Sequence, residues 1–81
     1  MWVIKTKKMN DYIMDTNIHV WRAMRRMTQQ ELADRVGVSR QTIMQLEKNK
    51  YNPSLKLAYT IAQVLDAKLE ELFVFKVKKE V

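Results

Sequence analysis

Two helix-start signals lie about eleven residues apart in the middle of this chain, and the only glycine of the sequence stands between them. Thr28, with a glutamate three positions later, has the pattern of a capping box, and Ser39 is a good N-cap. Gly37 follows the last turn of the first helix, where a residue that tolerates positive φ ends a helix without steric cost. The spacing predicts one helix over about residues 29–36 and another over about residues 40–48.

The residues around this turn suit two helices that pack at a steep angle. Such helices bring their backbones close together, so a small residue is expected at Ala33. Val38 would fill the angle between them, and Ile43 and Leu46, one helical turn apart, would anchor the second helix to the core. The pattern predicts a helix-turn-helix, in which the second helix is free to enter a groove of nucleic acid.

Further helices and two extended segments complete the prediction. One helix would start near Asp15, Thr16 and Asn17, whose side chains can accept hydrogen bonds from the free N–H groups of a first turn. Pro53 suits the first turn of a helix with a broad apolar face, and a short helix over 69–73 would close the core. The segments "WVIKTKK" and "FVFKVKK" alternate like strands, which could pair within one chain or across a dimer, or could be frayed tails.

The length of 81 residues leaves room for one domain with a single modest core. We expect an all-α fold of five helices with short extended (β) segments at both termini. Residues 1–10 would form an N-terminal extended arm, residues 16–73 the helix-turn-helix domain, and residues 74–81 a C-terminal strand or tail.

The charge distribution favours a polyanionic partner. The net charge is +6, and residues 20–51 hold seven Lys and Arg against three Asp and Glu. A compact basic region suits nucleic acid, although an ordinary solvated basic surface has the same composition. Because the chain has no cysteine, no signal-like apolar stretch and no run of about 20 apolar residues, we expect a cytoplasmic protein without disulfides or a membrane span.

Catalytic signals are weak throughout the sequence. His19 is the one histidine, the carboxylates are scattered over the helices, and a single glycine cannot form a Gly-rich phosphate loop. We therefore expect no enzyme activity, no metal, no cofactor and no small-molecule ligand.

The stretch "MTQQELADRVGVSRQTIMQLEKNKYNPSLKLAYTIAQVLDAKLEELF" resembles the Cro and C1-repressor type of helix-turn-helix, also called the Xre family. The resemblance covers about residues 17–73. It implies a five-helix domain that binds double-stranded DNA, usually as a two-fold homodimer on a palindromic operator, to regulate transcription.

The exposed side of the second helix carries side chains that suit base edges, and the resemblance implies the same positions. Arg40, Gln41 and Gln45 are the predicted base-reading residues, because Arg can bridge guanine O6 and N7 and Gln can pair with adenine. The resemblance also implies that Gln29 braces a glutamine of the second helix. The predicted contacts to the DNA backbone are made by Arg22, Thr28, Gln29, Thr42, Lys48, Asn49, Lys50 and Tyr51.

Other positions follow from the resemblance or depart from it. Arg22 and Glu47 match an ion pair between the first and third helices of related repressors. Arg26 and Asp66 stand where the family usually has glycine, and Lys68 stands where Ser or Thr would cap the last helix, so the local turns remain open.

Two other functions are compatible with the same fold. The chain could be an antitoxin that binds a protein as well as its operator, or a protein-interaction adapter. Six methionines would suit a partner surface, although methionines also fill gaps in cores.

Overall fold

The computed structural model describes residues 7–78. The order of the elements is a 3₁₀ turn Met9–Asp11, β1 Tyr12–Thr16, α1 Ile18–Met24, α2 Gln29–Val36, α3 Arg40–Glu47, α4 Leu55–Leu65, α5 Leu69–Leu72 and β2 Phe73–Val77. The five predicted helices are confirmed. The term all-α understates the fold, because the two strands pair in a small antiparallel sheet.

The sheet is formed within the chain, with Thr16 opposite Phe73 and Tyr12 opposite Val77. The strand predicted from "FVFKVKK" is confirmed. The other strand begins at Tyr12, whereas the predicted segment "WVIKTKK" lies largely outside the described residues, and its Lys7 and Lys8 belong to no strand. The proposed boundaries of an arm at residues 1–10, a domain at 16–73 and a tail at 74–81 stay predictions.

The predicted start of the first helix was wrong for two of its three residues. Asp15 and Thr16 belong to β1, and Asn17 is the N-cap of α1 without a side-chain capping bond. The backbone N–H of Asn17 donates instead to the carbonyl of Leu72 at 2.8 Å. Pairing with a distant segment therefore decides the structure of residues whose local preference favours a cap.

The core is assembled from one apolar side of each helix. Burying a side chain of this kind contributes about 1.5–3 kcal/mol to folding. Ala33 is fully buried at the crossing of α2 and α3, as expected for a close approach of two backbones. The largest fully buried side chains are Ile18, Leu32, Ile43, Leu46, Ile61, Leu65 and Leu72.

The signals around the turn between α2 and α3 are confirmed by its hydrogen bonds. The Thr28 hydroxyl accepts from the backbone N–H of Glu31 at 3.0 Å, and the Ser39 hydroxyl accepts from that of Thr42 at 3.2 Å. Gly37 ends α2 with φ of 90°, and its N–H donates to the carbonyl of Ala33 at 2.8 Å. The two helices therefore start and stop where the local sequence directs.

Within residues 7–78, three other residues have positive φ, and none of them is glycine. They are Arg26 at 53°, Asn49 at 59° and Asp66 at 54°. The turns in which the family usually has glycine thus keep a left-handed backbone in this chain. Each carries a steric cost, which is smaller for Asn and Asp than for Arg.

We expect Arg26→Gly to stabilise the fold by about 1 kcal/mol, because glycine adopts this backbone conformation without a Cβ clash. Asp66→Gly should stabilise the fold less, since Asp tolerates the left-handed region better. Urea denaturation measures the free energy of unfolding of both variants. Gln63→Gly inside α4 is the control and should destabilise the fold by about 1 kcal/mol. A less stable Arg26→Gly variant would contradict the strain argument.

Candidate nucleic-acid interface

The third helix has one buried side and one polar side. Ile43 and Leu46 are fully buried, while Arg40 and Gln41 are exposed. Gln45 is half-buried on the same helix. The predicted base-reading residues therefore lie on α3, with those at its N-terminal end most accessible.

A shallow open cavity of about 660 Å³ lies between α1, the N-terminal turn of α2 and the start of α3. Its lining combines two guanidinium groups with side chains beside the free N–H groups of α2, which is an environment that suits a phosphate. Of the five described residues that line it, four were predicted DNA contacts. The lining consists of Arg22, Thr28, Gln29, Gln30 and Arg40.

The cavity residue that the sequence reading missed is Gln30. Its amide donates to the Asp34 carboxylate at 2.8 Å, one helical turn further on. The available signal was its position, since it directly follows Gln29 in the first turn of a capped helix. Proximity to an N-terminus therefore identifies a group of candidate residues rather than one.

The Glu47 carboxylate joins three elements at the edge of this cavity. It accepts from Arg22 Nε at 2.9 Å and from Arg22 Nη2 at 3.2 Å, which confirms the predicted ion pair between α1 and α3. It also accepts from Gln29 Nε2 at 3.0 Å. The remaining Arg22 nitrogen, Nη1, donates to the carbonyl of Met27 at 2.9 Å.

These contacts, which we call the Glu47 latch, fix the direction of side chains as well as the position of a helix. The amide nitrogen of Gln29 donates to Glu47, and the expectation that this residue braces a glutamine of α3 stays a prediction. The side chains of Arg22 and Glu47 are 20% and 9% exposed, so solvent screens this pair only in part. Its bidentate geometry makes it stronger and more directional than an ordinary surface pair.

The segment after α3 is divided between two directions. Lys48, Lys50 and Tyr51 are exposed, as expected for contacts with a DNA backbone. The Asn49 side chain instead contacts β1, where its Oδ1 accepts from the backbone N–H of Thr16 at 3.0 Å. Contact of this side chain with DNA stays a prediction, as do the other predicted contacts.

Arg25 serves the fold rather than the cavity. Its Nε donates to the carbonyl of Leu65 at 2.8 Å, and its guanidinium lies 5.4 Å from the centroid of the Trp21 ring. It thereby supplies a donor and a positive charge to the C-terminus of α4. Neighbouring arginines in one sequence cluster consequently have different roles.

The part of the chain from residue 7 to residue 78 has no cluster of three or more His, Cys, Asp or Glu residues that could hold a metal ion. None of its helices has the length and apolar character needed to cross a membrane. His19 is exposed on α1.

The short connection between α2 and α3, residues 37–39, and the exposed polar side of α3 define a helix-turn-helix domain. A family model described as "Helix-turn-helix" matches residues 18–72. The chain belongs to this family, of the Cro/C1 type that is also called Xre.

Relatives in archaea support the same assignment. An uncharacterized HTH-type transcriptional regulator of Archaeoglobus fulgidus is 63% identical over 62 residues, which cover 76% of this chain and 87% of the relative. Another, from Methanocaldococcus jannaschii, is 46% identical over 63 residues, which cover 78% and 96% respectively.

Solved structures are similar as well. A crystal structure of a protein from Bacteroides fragilis has a TM-score of 0.68 at 32% identity and covers 74% of this chain and 97% of its own. The transcriptional regulator VanUg has a TM-score of 0.72 at 24% identity, covers 93% and 100% respectively, and so shares the fold.

Removal of the Glu47 carboxylate should lower the free energy of unfolding more than removal of an exposed ion pair does. Glu47→Ala leaves Arg22 and Gln29 without an acceptor, and we expect a loss of about 1–3 kcal/mol. Lys76→Gln, which removes the exposed pair between Lys76 and Asp15, should cost about 0–1 kcal/mol. Urea denaturation compares the two variants, and equal losses would refute the role assigned to the Glu47 latch.

Proposed function

We propose that this protein binds double-stranded DNA sequence-specifically through α3 and regulates transcription as a homodimer on a palindromic operator. The observation that carries the proposal is the exposed polar side of α3 beside a cavity with two guanidinium groups at the N-terminus of α2. The relatives named as transcriptional regulators support it. The proposal implies a cytoplasmic location and no catalysis.

Base reading is assigned to Arg40, Gln41 and Gln45. The B-DNA major groove, about 12 Å wide, admits a helix, and residues at the N-terminal part of a recognition helix reach base edges. Arg40 and Gln41 are at that end and are exposed. Arg suits guanine and Gln suits adenine, so the chemistry favours an operator with both purines.

Two groups of side chains would contact phosphates on either side of α3. Arg22, Thr28 and Gln29 line the cavity at the N-terminus of α2. The exposed segment after α3 supplies cations and a phenol. Such contacts fix the register of the protein on DNA without reading its sequence. The proposed backbone contacts also include Thr42, Lys48, Asn49, Lys50 and Tyr51.

The homodimer is proposed on an apolar surface away from α3, which we call the sheet groove. This groove has a volume of about 790 Å³. Met9, Leu55 and Phe75 line it and are 86%, 77% and 63% exposed. Among the described residues that line it, Glu70 is the one charged side chain. Extended apolar surface of this kind is typical of protein interfaces, and a second copy offers matching apolar side chains.

The base-reading role is tested by Gln41→Ala after selection of preferred sites from random DNA. We expect a loss of about 1–3 kcal/mol on the selected site and a relaxed preference at one base pair, because one paired amide is removed. Gln63→Ala on the exposed side of α4 is the matched control and should bind as the original protein does. An equal loss on random DNA would argue against base reading by Gln41.

The same preparation separates DNA binding from the other functions. The affinity of a DNA-binding protein should fall steeply with salt, with a slope set by the number of neutralised phosphates. An adapter that uses the fold only for protein contacts would give no selected sequence and no such slope.

The dimer is tested by Phe75→Glu, which places a charge in the sheet groove. We expect the dimer dissociation constant, measured by sedimentation, to rise by at least about tenfold, because the carboxylate would lose its water on association. Ile13→Glu is the matched control, since Ile13 is exposed on the opposite face of the same sheet. Equal effects of the two variants, or a monomer in the original protein, would reject this surface.

A further inference from the structure

The C-terminal end of α3 is attached to the sheet by a buried hydroxyl. Thr16 is the buried polar side chain of the core in the described range, at 6% exposure. Its Oγ1 donates to the carbonyl of Leu46 at 3.2 Å, in the last turn of α3. That carbonyl also accepts from the backbone N–H of Asn49. The carbonyl of Leu46, in the last turn of α3, therefore accepts hydrogen bonds from both Thr16 and Asn49.

Asn49 completes the attachment from the other side. Its Oδ1 accepts from the backbone N–H of Thr16 at 3.0 Å, and its Nδ2 lies 3.4 Å from Asp15 Oδ1. The second carboxylate oxygen of Asp15 pairs with Lys76 of β2 at 3.1 Å. A continuous set of polar contacts thus runs from β2 through β1 to Asn49, two residues after the end of α3.

The asparagine at position 49 satisfies two structural requirements, one of the backbone and one of hydrogen bonding. The φ of 59° at Asn49 favours glycine, which would have no Cβ to strain. Glycine, however, would leave the outward N–H of Thr16 in β1 without the side-chain acceptor that Asn49 provides. Asparagine accepts the left-handed conformation at low cost and supplies both a donor and an acceptor.

We propose that Thr16 and Asn49 are positioning residues for DNA reading, which make the sheet a support for the recognition helix. The inference rests on the proposed function. The Glu47 latch holds α3 from the side of α1 and α2, and the Thr16–Asn49 link holds the same end from the side of the sheet.

A small tilt of α3 about its C-terminal end displaces its N-terminal end, where the predicted base-reading residues lie, by a much larger distance. An eight-residue helix is about 12 Å long, so a tilt of about 10° about its C-terminus moves the far end by about 2 Å. Bidentate contacts to a base do not survive a displacement of that size, whereas contacts to phosphate tolerate it better. Loss of the link should therefore lower selectivity for the operator more than affinity for random DNA.

The test compares two variants that remove the link with one that keeps it. Asn49→Gly preserves the backbone conformation and removes the amide, and Thr16→Val preserves the shape and strand preference and removes the hydroxyl. Thr16→Ser retains the hydroxyl as the conservative control. Each full-length variant is measured for affinity to the selected site and to random DNA, for melting temperature, and for hydrogen exchange of the Asn49 and Lys50 amides.

We expect Asn49→Gly and Thr16→Val to reduce the ratio of operator to random affinity by about tenfold and to accelerate exchange of both amides, since Asn49→Gly removes two side-chain hydrogen bonds of the link and Thr16→Val removes one. Thr16→Ser should stay within about twofold of the original protein, because its hydroxyl is kept. An unchanged affinity ratio with a lowered melting temperature would overturn the inference and leave a structural role alone.

The hydrogen-exchange measurement keeps this inference separate from the proposed function. If the original protein selects no DNA sequence, the proposed function fails, and unchanged exchange at Asn49 and Lys50 in the variants would independently overturn the link. If the original protein selects a sequence and the variants select it equally well, the positioning role fails while the proposed function stands.

Discussion

The carboxylate of Glu47 is the contact on which the geometry of the candidate interface depends. A turn as short as the one around Gly37 limits the angle between α2 and α3 but leaves rotation of α3 about its own axis to side-chain contacts. Together with the buried side chains of Ile43 and Leu46, Glu47 restricts that rotation, because it accepts hydrogen bonds from Arg22 on α1 and from Gln29 on α2. A carboxylate that is 9% exposed requires such donors in return for lost water. The same hydrogen bonds therefore orient α3 and satisfy the largely buried charge of Glu47.

Much of the helix-turn-helix could be predicted because its signals are local. The caps at Thr28 and Ser39 and the left-handed Gly37 depend on neighbours within four residues, and the structure confirms all three. The first strand could not be predicted in this way. Asp15 and Thr16 have the side chains of helix caps, and their place in β1 is decided by β2, which lies far away in sequence. The local preference of a residue for a helix cap is overridden where a distant strand supplies backbone hydrogen bonds.

In the candidate nucleic-acid interface as well, features set by the local sequence could be predicted, and features set by distant contacts could not. The sequence indicated which residues are polar and on which side of α3 they lie, and the Arg22–Glu47 pair came from the resemblance. It did not indicate where the amides of Gln29 and Asn49 point or that Arg25 caps α4, because these contacts join residues 18, 33 and 40 positions apart. A side chain that looks suited to DNA can be engaged within the chain. The residue type alone therefore identifies a candidate and leaves its partner open.

The strand β2 explains how the sheet can have two uses. Its period of two places Phe73, Phe75 and Val77 on one face, but only Phe73 is buried, and the other two are 63% and 50% exposed. The core therefore covers the face where β2 leaves α5 and does not cover its far half. At the covered end, Thr16 opposite Phe73 holds the last turn of α3. A periodic pattern specifies a shared face and does not specify what packs on it, so one continuous face can support α3 at one end and present apolar surface at the other.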